Sequence, residues 1–312
     1  LDRLYVRYHR VEFLGSDPLE FPHRYRDFLD QEAVALLSAL LAYGNVKQIR
    51  RSVETALLLM GRSPQVFVRS LAEPAGLARA LTALSPFVHR FNRGVDVVVL
   101  FALLSKSWRK HGSLGAHFAV FNLPSAPDIT DALNGLIGEW RQWIQDDEAL
   151  KRLVEESPSF HYFLTSPNDG SCCKRWCMFL RWMGRREAGS SEGQLDLGLW
   201  AERGALRASQ LVIPLDTHTG RISQYLGLTR RKSLNWLAAL EVTESLKKCD
   251  GSDPTKYDFA LARLGILNLC RRAYRSEICT QCDLLEGCRF ARAGRARVKA
   301  REARKARKIA IF

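Results

Sequence analysis

Apolar positions recur along this chain at three- and four-residue steps. Val34, Leu37 and Leu41, then Ile49, Val53 and Leu57, fall on single helical faces from about Gln31 onward. Val97–Leu104 reads as a buried helix, and Trp176, Phe179, Leu180 and Met183 as the inner side of another. Ser233 reads as the cap of a helix running to Lys248. Asp253-Pro254 reads as N-cap and first residue of a helix whose inner face carries Tyr257, Ala260, Leu261 and Leu264. No period-2 strand and no internal repeat stands out, so the pattern predicts an all-α chain. Residues 1–30 read as a short helix and a polar approach broken at Pro18 and Pro22. Residues 184–194 read as a flexible loop.

One stretch, Leu211–Leu228, carries unusually clear punctuation. Pro214 stops any preceding helix, and Asp216 stands at an N-cap. A helix is then expected from Thr217 to Leu226, closed by Gly227. A carboxylate there accepts backbone N–H bonds and sits at the positive end of the helix dipole, so it is held rigidly and ionised. That describes an ordinary cap as well as a poised catalytic group. Upstream, the polar turn of Ser166–Ser171 leads through Gly170-Ser171-Cys172-Cys173-Lys174 into a helix. Cys173 and Cys177 lie four apart on one face of it and read as packing cysteines. Asp196 reads as a loop support or, alternatively, a functional group.

Composition narrows the classes. The 312 residues are 46% hydrophobic and 26% charged, as in ordinary soluble globular proteins. No apolar stretch is long enough to span a bilayer, and the basic opening Leu1–Arg10 lacks the apolar core of a secretory signal. A non-membrane, cytoplasmic monomer is expected. Cys270, Cys279, Cys282 and Cys288 follow as C-x8-C-x2-C-x5-C, which suits a thiolate metal site in a reducing compartment better than a disulfide framework. The net charge is +14, and residues 289–312 hold ten Lys/Arg against the single acid Glu302. Such a tail suits phosphate contacts, or simply a solvated arm. Its Ala/Arg/Lys alternation has high helix propensity but little apolar face, so a frayed helix or disordered arm is expected.

The run PLDTHTGRISQYLGL followed by a compact four-cysteine cluster resembles the helix-hairpin-helix (HhH-GPD) base-excision DNA glycosylases of the endonuclease III type, over about residues 20–290. LDLGLW together with KRWCMFLRWM resembles a functionally uncharacterised branch of that superfamily. The resemblance implies a two-lobed helical fold. Residues 29–210 would form a six-helix-barrel-like domain with its hairpin near 166–183. Residues 1–28 plus 211–291 would form a second helical domain with an iron–sulfur loop, followed by a basic tail at 292–312.

It also implies a nucleoid-associated repair enzyme acting on damaged bases in double-stranded DNA. Asp216 would be its catalytic carboxylate and Lys174 its Schiff-base amine, giving base excision with AP lyase activity. Gly170 and Ser171 in the hairpin, Tyr43, Asn45 and Gln48 in the turn after the first barrel helix, and His218, Arg221, Arg271 and Arg272 would face DNA. The four cysteines would hold a [4Fe–4S] cluster, with zinc the alternative. Three features depart from the family pattern. Cys172 replaces the second hairpin glycine, the first cysteine spacer is two residues longer, and Lys174 and Asp216 lie 42 residues apart, farther than usual. A monofunctional glycosylase, a non-catalytic DNA binder and a zinc-stabilised RNA-binding protein are the competing readings.

Overall fold

Polar residues placed just ahead of apolar runs set most helix starts. Asp27 accepts from the backbone N–H groups of Leu29 and Asp30, Asn45 from Lys47, Ser113 from Ala116, Asp147 from Leu150 and Asn235 from Ala238. The computed structural model describes residues 1–187 and 194–309, with the backbone alone for 305–309. In chain order its helices are α1 (Asp2–Tyr8), α2 (Phe28–Leu40), α3 (Val46–Met60), α4 (Pro64–Ser70), α5 (Pro74–Leu84), α6 (Gly94–His111), α7 (Leu114–Phe121) and α8 (Thr130–Gln145). There follow α9 (Glu148–Glu156), α10 (Lys174–Gly184), α11 (Leu199–Glu202), α12 (Thr217–Leu226), α13 (Trp236–Lys247), α14 (Asp258–Ile266), α15 (Ser276–Cys279) and α16 (Arg289–Ile309). The described chain is mostly helical, with almost no strand.

Three local expectations need correction, and a fourth holds in position only. Asn235 caps α13 rather than Ser233. Asp253 and Pro254 stand at the N-cap and first position as expected, but of a 3₁₀ turn (Pro254–Tyr257) that leads into α14, and the Asp253 carboxylate accepts from Arg185 Nε at 2.7 Å and from no backbone N–H of that turn. A two-residue antiparallel pair, β1 (Val88–His89) with β2 (Asn92–Arg93), lies where no strand is expected. It is too short to show a period-2 pattern, and Arg90 turns it with φ 56°. The basic tail continues as helix to Ile309 instead of fraying. Its alternating Ala, Arg and Lys favour helix, and Phe290 pins its first turn by stacking on Tyr225 at 4.2 Å.

The core is centred on α2 and α6, whose Ala33–Ala35 and Val97–Leu100 are almost wholly inaccessible. α10 packs across α2, while α1 packs against α14, which also meets α12. The N-terminal helix is thereby joined to the C-terminal helices.

Two buried charge systems hold this arrangement. Glu32 on α2 is fully buried; its carboxylate accepts from Trp108 Nε1 (2.6 Å), Leu114 N (2.9 Å), Gly115 N (3.0 Å) and Trp200 Nε1 (2.9 Å). Burial raises its pKa, and these four donors oppose the rise. In the second system Arg181 bonds Asp258 and lies 3.3 Å from Asp196. Arg185 donates to Asp196 at 2.9 Å.

The runs LDLGLW and KRWCMFLRWM are thus tied to each other through buried ion pairs, and Asp196 is a structural counter-ion at 1% exposure. The expected flexible loop at 184–194 is pinned at its start, since Arg185 is 2% exposed and reaches Tyr5, Glu187, Asp196 and Asp253. Residues 188–193 lie outside the described residues.

Candidate functional site

Residues Leu211–Leu215 run buried and extended into α12. Asp216 caps that helix as expected, its Oδ1 accepting from His218 N at 2.8 Å and Thr219 N at 2.7 Å. Gly227 closes it with φ 74°. Lys174 is the first residue of α10. The two helix starts are latched together, because the Cys172 thiol donates to the Leu215 carbonyl at 3.2 Å, one residue before Asp216. Burial raises the Cys172 pKa, which keeps this thiol a donor, and Asp216 is among the charges that act on it.

Lys174 is half-buried and its Nζ donates to the Ala42 carbonyl at 3.1 Å. Burial lowers its pKa, with Asp216 the foremost charge opposing the drop, followed by Asp258 and Asp17. No ion pair within 4.0 Å joins Lys174 to a carboxylate among the described residues. Burial also raises Asp258 to about 7; Arg181 and Lys174 oppose the rise, while Asp216 and Asp196 add to it. Lys174, Asp216 and Asp258 therefore share one electrostatic environment although α10, α12 and α14 are distant in sequence.

The departure at Cys172 does not strain the turn. Gly170 takes the left-handed conformation at φ 71°, and the second positive φ falls on Cys173 (47°), not on Cys172. Ser171 Oγ accepts from Cys173 N at 3.1 Å. The segment leading into the turn, Pro158–Tyr162 and Pro167–Asp169, is 3₁₀ rather than α-helix. Cys173 and Cys177 are buried packing residues.

The other expected DNA-facing residues divide. Tyr43 is committed, its ring against Phe91 (5.1 Å) and the Arg175 guanidinium (5.2 Å), and its hydroxyl 3.0 Å from the His89 carbonyl oxygen. Asn45 spends its oxygen on the α3 cap, and Gln48 is exposed. The His218 ring packs against Gly265, where a Cβ would come within 2.6 Å of it. Arg221 turns toward the cysteine loop, donating to the Cys270 carbonyl at 3.1 Å, while Arg271 and Arg272 are exposed. Sequence reasoning missed Phe91. It is 47% exposed at the β1–β2 turn, against Tyr43 and 4.7 Å from the equally open Tyr162, with Arg90 and Arg175 alongside Tyr43. Its only sequence signal is a lone aromatic in the polar run His89-Arg-Phe-Asn-Arg93.

Cys270, Cys279, Cys282 and Cys288 line one cavity of about 200 Å³, together with Tyr8, Tyr225, Leu264 and Phe290. No three of these sulfurs lie within 4.8 Å of one another. Burial raises the Cys270 pKa to about 11, with Arg221 acting against it. The Ala291 N–H donates to Cys288 Sγ at 3.3 Å.

The chain belongs to the family described as "Protein of unknown function (DUF2400)", whose pattern matches residues 17–267. That span contains Lys174, Asp216 and Asp258 and ends before Cys270. No curated protein and no solved structure matches the chain. Among the described residues no helix is long and apolar enough to cross a membrane.

Proposed function

We propose that this protein is a base-excision DNA glycosylase of the helix-hairpin-helix (HhH-GPD) type, with AP lyase activity, acting on a damaged base flipped out of duplex DNA. The observation that carries this reading is the latch of the Cys172 thiol on the Leu215 carbonyl, which ties the helix start carrying Lys174 to the one carrying Asp216. Breaking an N-glycosidic bond builds positive charge on the sugar, which a fixed carboxylate such as Asp216 stabilises. The neutral Lys174 amine, its pKa lowered by burial, attacks C1′ as the base leaves with the bonding pair; the nitrogen loses a proton, the C1′–O4′ bond opens with its pair going to a protonated O4′, and the Schiff base so formed permits β-elimination of the strand. A base inside a duplex is out of reach of either group, so extrusion is required. The start of α10 has no side-chain cap, leaving N–H groups for a phosphate.

The four cysteines fit a [4Fe–4S] cluster that braces the loop carrying Arg271 and Arg272. Sulfurs around one zinc stand roughly 3.8 Å apart, given Zn–S bonds of about 2.3 Å in a tetrahedron. No three of these thiols stand that close, so they would have to draw together to hold one zinc. Iron and acid-labile sulfide in protein prepared without oxygen check this; zinc alone would replace the cluster and leave the fold reading standing.

A second reading, a monofunctional glycosylase or non-catalytic DNA binder, is favoured by the hydrogen bond that holds the Lys174 amine on the Ala42 carbonyl. Treating a panel of lesion-containing duplexes with protein and borohydride separates the two. The expected result is a covalent complex lost in Lys174→Ala, and base release lost in Asp216→Asn with DNA binding intact. Base release without trapping selects the monofunctional enzyme, and neither on any lesion selects the binder.

A further inference from the structure

α16 begins directly after Cys288, and its first turns are locked to the body. Phe290 stacks on Tyr225 at 4.2 Å, and Ala291 is buried. Tyr274 covers Gly294 so closely that a Cβ there would stand 2.4 Å from the ring, and Arg289 covers Gly227 in the same way. Tyr225 and Gly227 lie at the end of α12 opposite Asp216. α16 therefore docks about 15 Å from the candidate site, the length of the ten-residue α12.

Beyond Gly294, residues 295–304 are all exposed, and they hold five cations against the single acid Glu302. No carboxylate of the described residues comes within 4.0 Å of these cations or of Arg292. At 3.6 residues per turn the cations fall into two rows. Arg292, Arg295 and Lys299 make one row, and Arg297, Arg301 and Arg304 make the other. Ala293, Ala296, Ala300 and Ala303 lie between the rows, so nothing bulky stands there. Ala291, Gly294, Val298 and Glu302 fall on the opposite side, which is the side that docks. The two rows and the alanines between them thus face away from the body.

Within each row the charges stand three or four residues apart, where like charges repel along a helix. Anions on both flanks remove that repulsion. B-form DNA presents them in this way, because phosphates line both walls of a major groove about 12 Å wide that admits a helix. With the alanines toward the groove floor, each row reaches one wall. Residues 294–309 would run along it for about 22 Å, roughly six base pairs. Residues 295–304 include no Asn, Gln, Ser or Thr, so the contact is to phosphate and not to base edges. Val298 is the single large apolar side chain among them, too little for a membrane-lying face.

We propose that α16 lies in the major groove of duplex DNA to one side of the candidate site, with its two basic rows on the phosphates of the two groove walls. This rests on the proposed function only in taking DNA as the partner. α16 stands outside residues 17–267, the span that matches the family, so this surface is an addition to the family's shared part. The packing of Phe290, Ala291 and Gly294 fixes the direction in which the helix leaves the body, so the contact falls on one flank.

The test is fluorescence anisotropy on undamaged duplexes, comparing the parent with truncation after Gly294 and with Ala300→Pro. Truncation removes the five exposed cations of residues 295–304 and should make the slope of log affinity on log salt shallower by about 4.5 or more, at about 0.9 for each phosphate they held. Ala300→Pro keeps every charge but breaks the helix, and it should show most of that change. Circular dichroism should register the helix loss, and thermal unfolding of the body should match the parent in both variants. The affinity gap between parent and truncation should close in methyl green, which fills the major groove, and persist in netropsin, which fills the minor. It should also close on duplex RNA, whose A-form major groove is too narrow. An Ala300→Pro protein that binds like the parent would overturn the proposal, since charge without helix would then suffice. So would a gap closed by netropsin alone, or one of equal size on RNA. No arm uses a lesion, so failure of the base-excision chemistry would leave each of these results readable.

Discussion

The Lys174 amine is the residue on which the proposed lyase chemistry turns, and its charge partners make that chemistry pH-sensitive. Asp258, with its pKa raised to about 7, is charged above that pH and neutral below it. Only when charged does it help hold the amine's pKa up. Asp258→Asn should therefore lower the amine pKa further and move the alkaline rise of borohydride trapping to lower pH. It should leave the limb below about pH 6 unchanged, where Asp258 is already neutral. A pH profile of trapping, with thermal unfolding to confirm that Arg181 tolerates the loss of one partner, measures this. An unmoved rise would mean that Lys174 is not the titrating nucleophile.

At the scale of elements, the fold depends on helices stitched by buried charge as well as by apolar packing. Glu32 joins α2 to α6, α7 and α11 through four donors to one carboxylate. Glu32→Gln keeps the size but turns an N–H₂ toward two of those donors, leaving each unpaired and buried. Unsatisfied buried groups cost about 1–3 kcal/mol apiece, so a loss of about 3 kcal/mol is expected in urea unfolding. A loss near zero would mean that Glu32 is protonated in the native state, the direction in which burial already pushes it. The Arg181–Asp196–Arg185 system has the same character and sets the approach of 195–200 to α10.

The whole molecule adds a long basic helix to this body. α16 is anchored by Phe290 on Tyr225 and by the buried Ala291, while its described residues beyond Gly294 are mostly exposed. Truncation after Gly294 keeps the anchor and removes most of the charge. On the DNA-binding reading it should flatten the dependence of log affinity on log salt by about 0.9 for each phosphate that the helix no longer neutralises. Fluorescence anisotropy on an undamaged duplex at several salt concentrations reads this slope, and an unchanged slope would show that the helix stays clear of the backbone.

What was legible in the sequence was local. Asp216 as a cap, the helix Thr217–Leu226 and its end at Gly227 follow from rules that span a single turn, as do the buried faces of α2, α6 and α10. The short cysteine spacing likewise marks a compact loop. A side chain's partner was not legible where the claimant is remote: Asp253 does stand at the cap position, but Arg185, 68 residues away, takes its carboxylate. The strand pair at Val88–Arg93 is too short for any periodicity to register.

Tertiary structure alone decided which distant charges share an environment. It turned Cys172 from a doubtful glycine substitute into a latch on Leu215, and assigned Asp196 to a buried ion system. Desolvation and Coulomb energy depend on distance and burial in space, and neither is encoded by spacing along the chain.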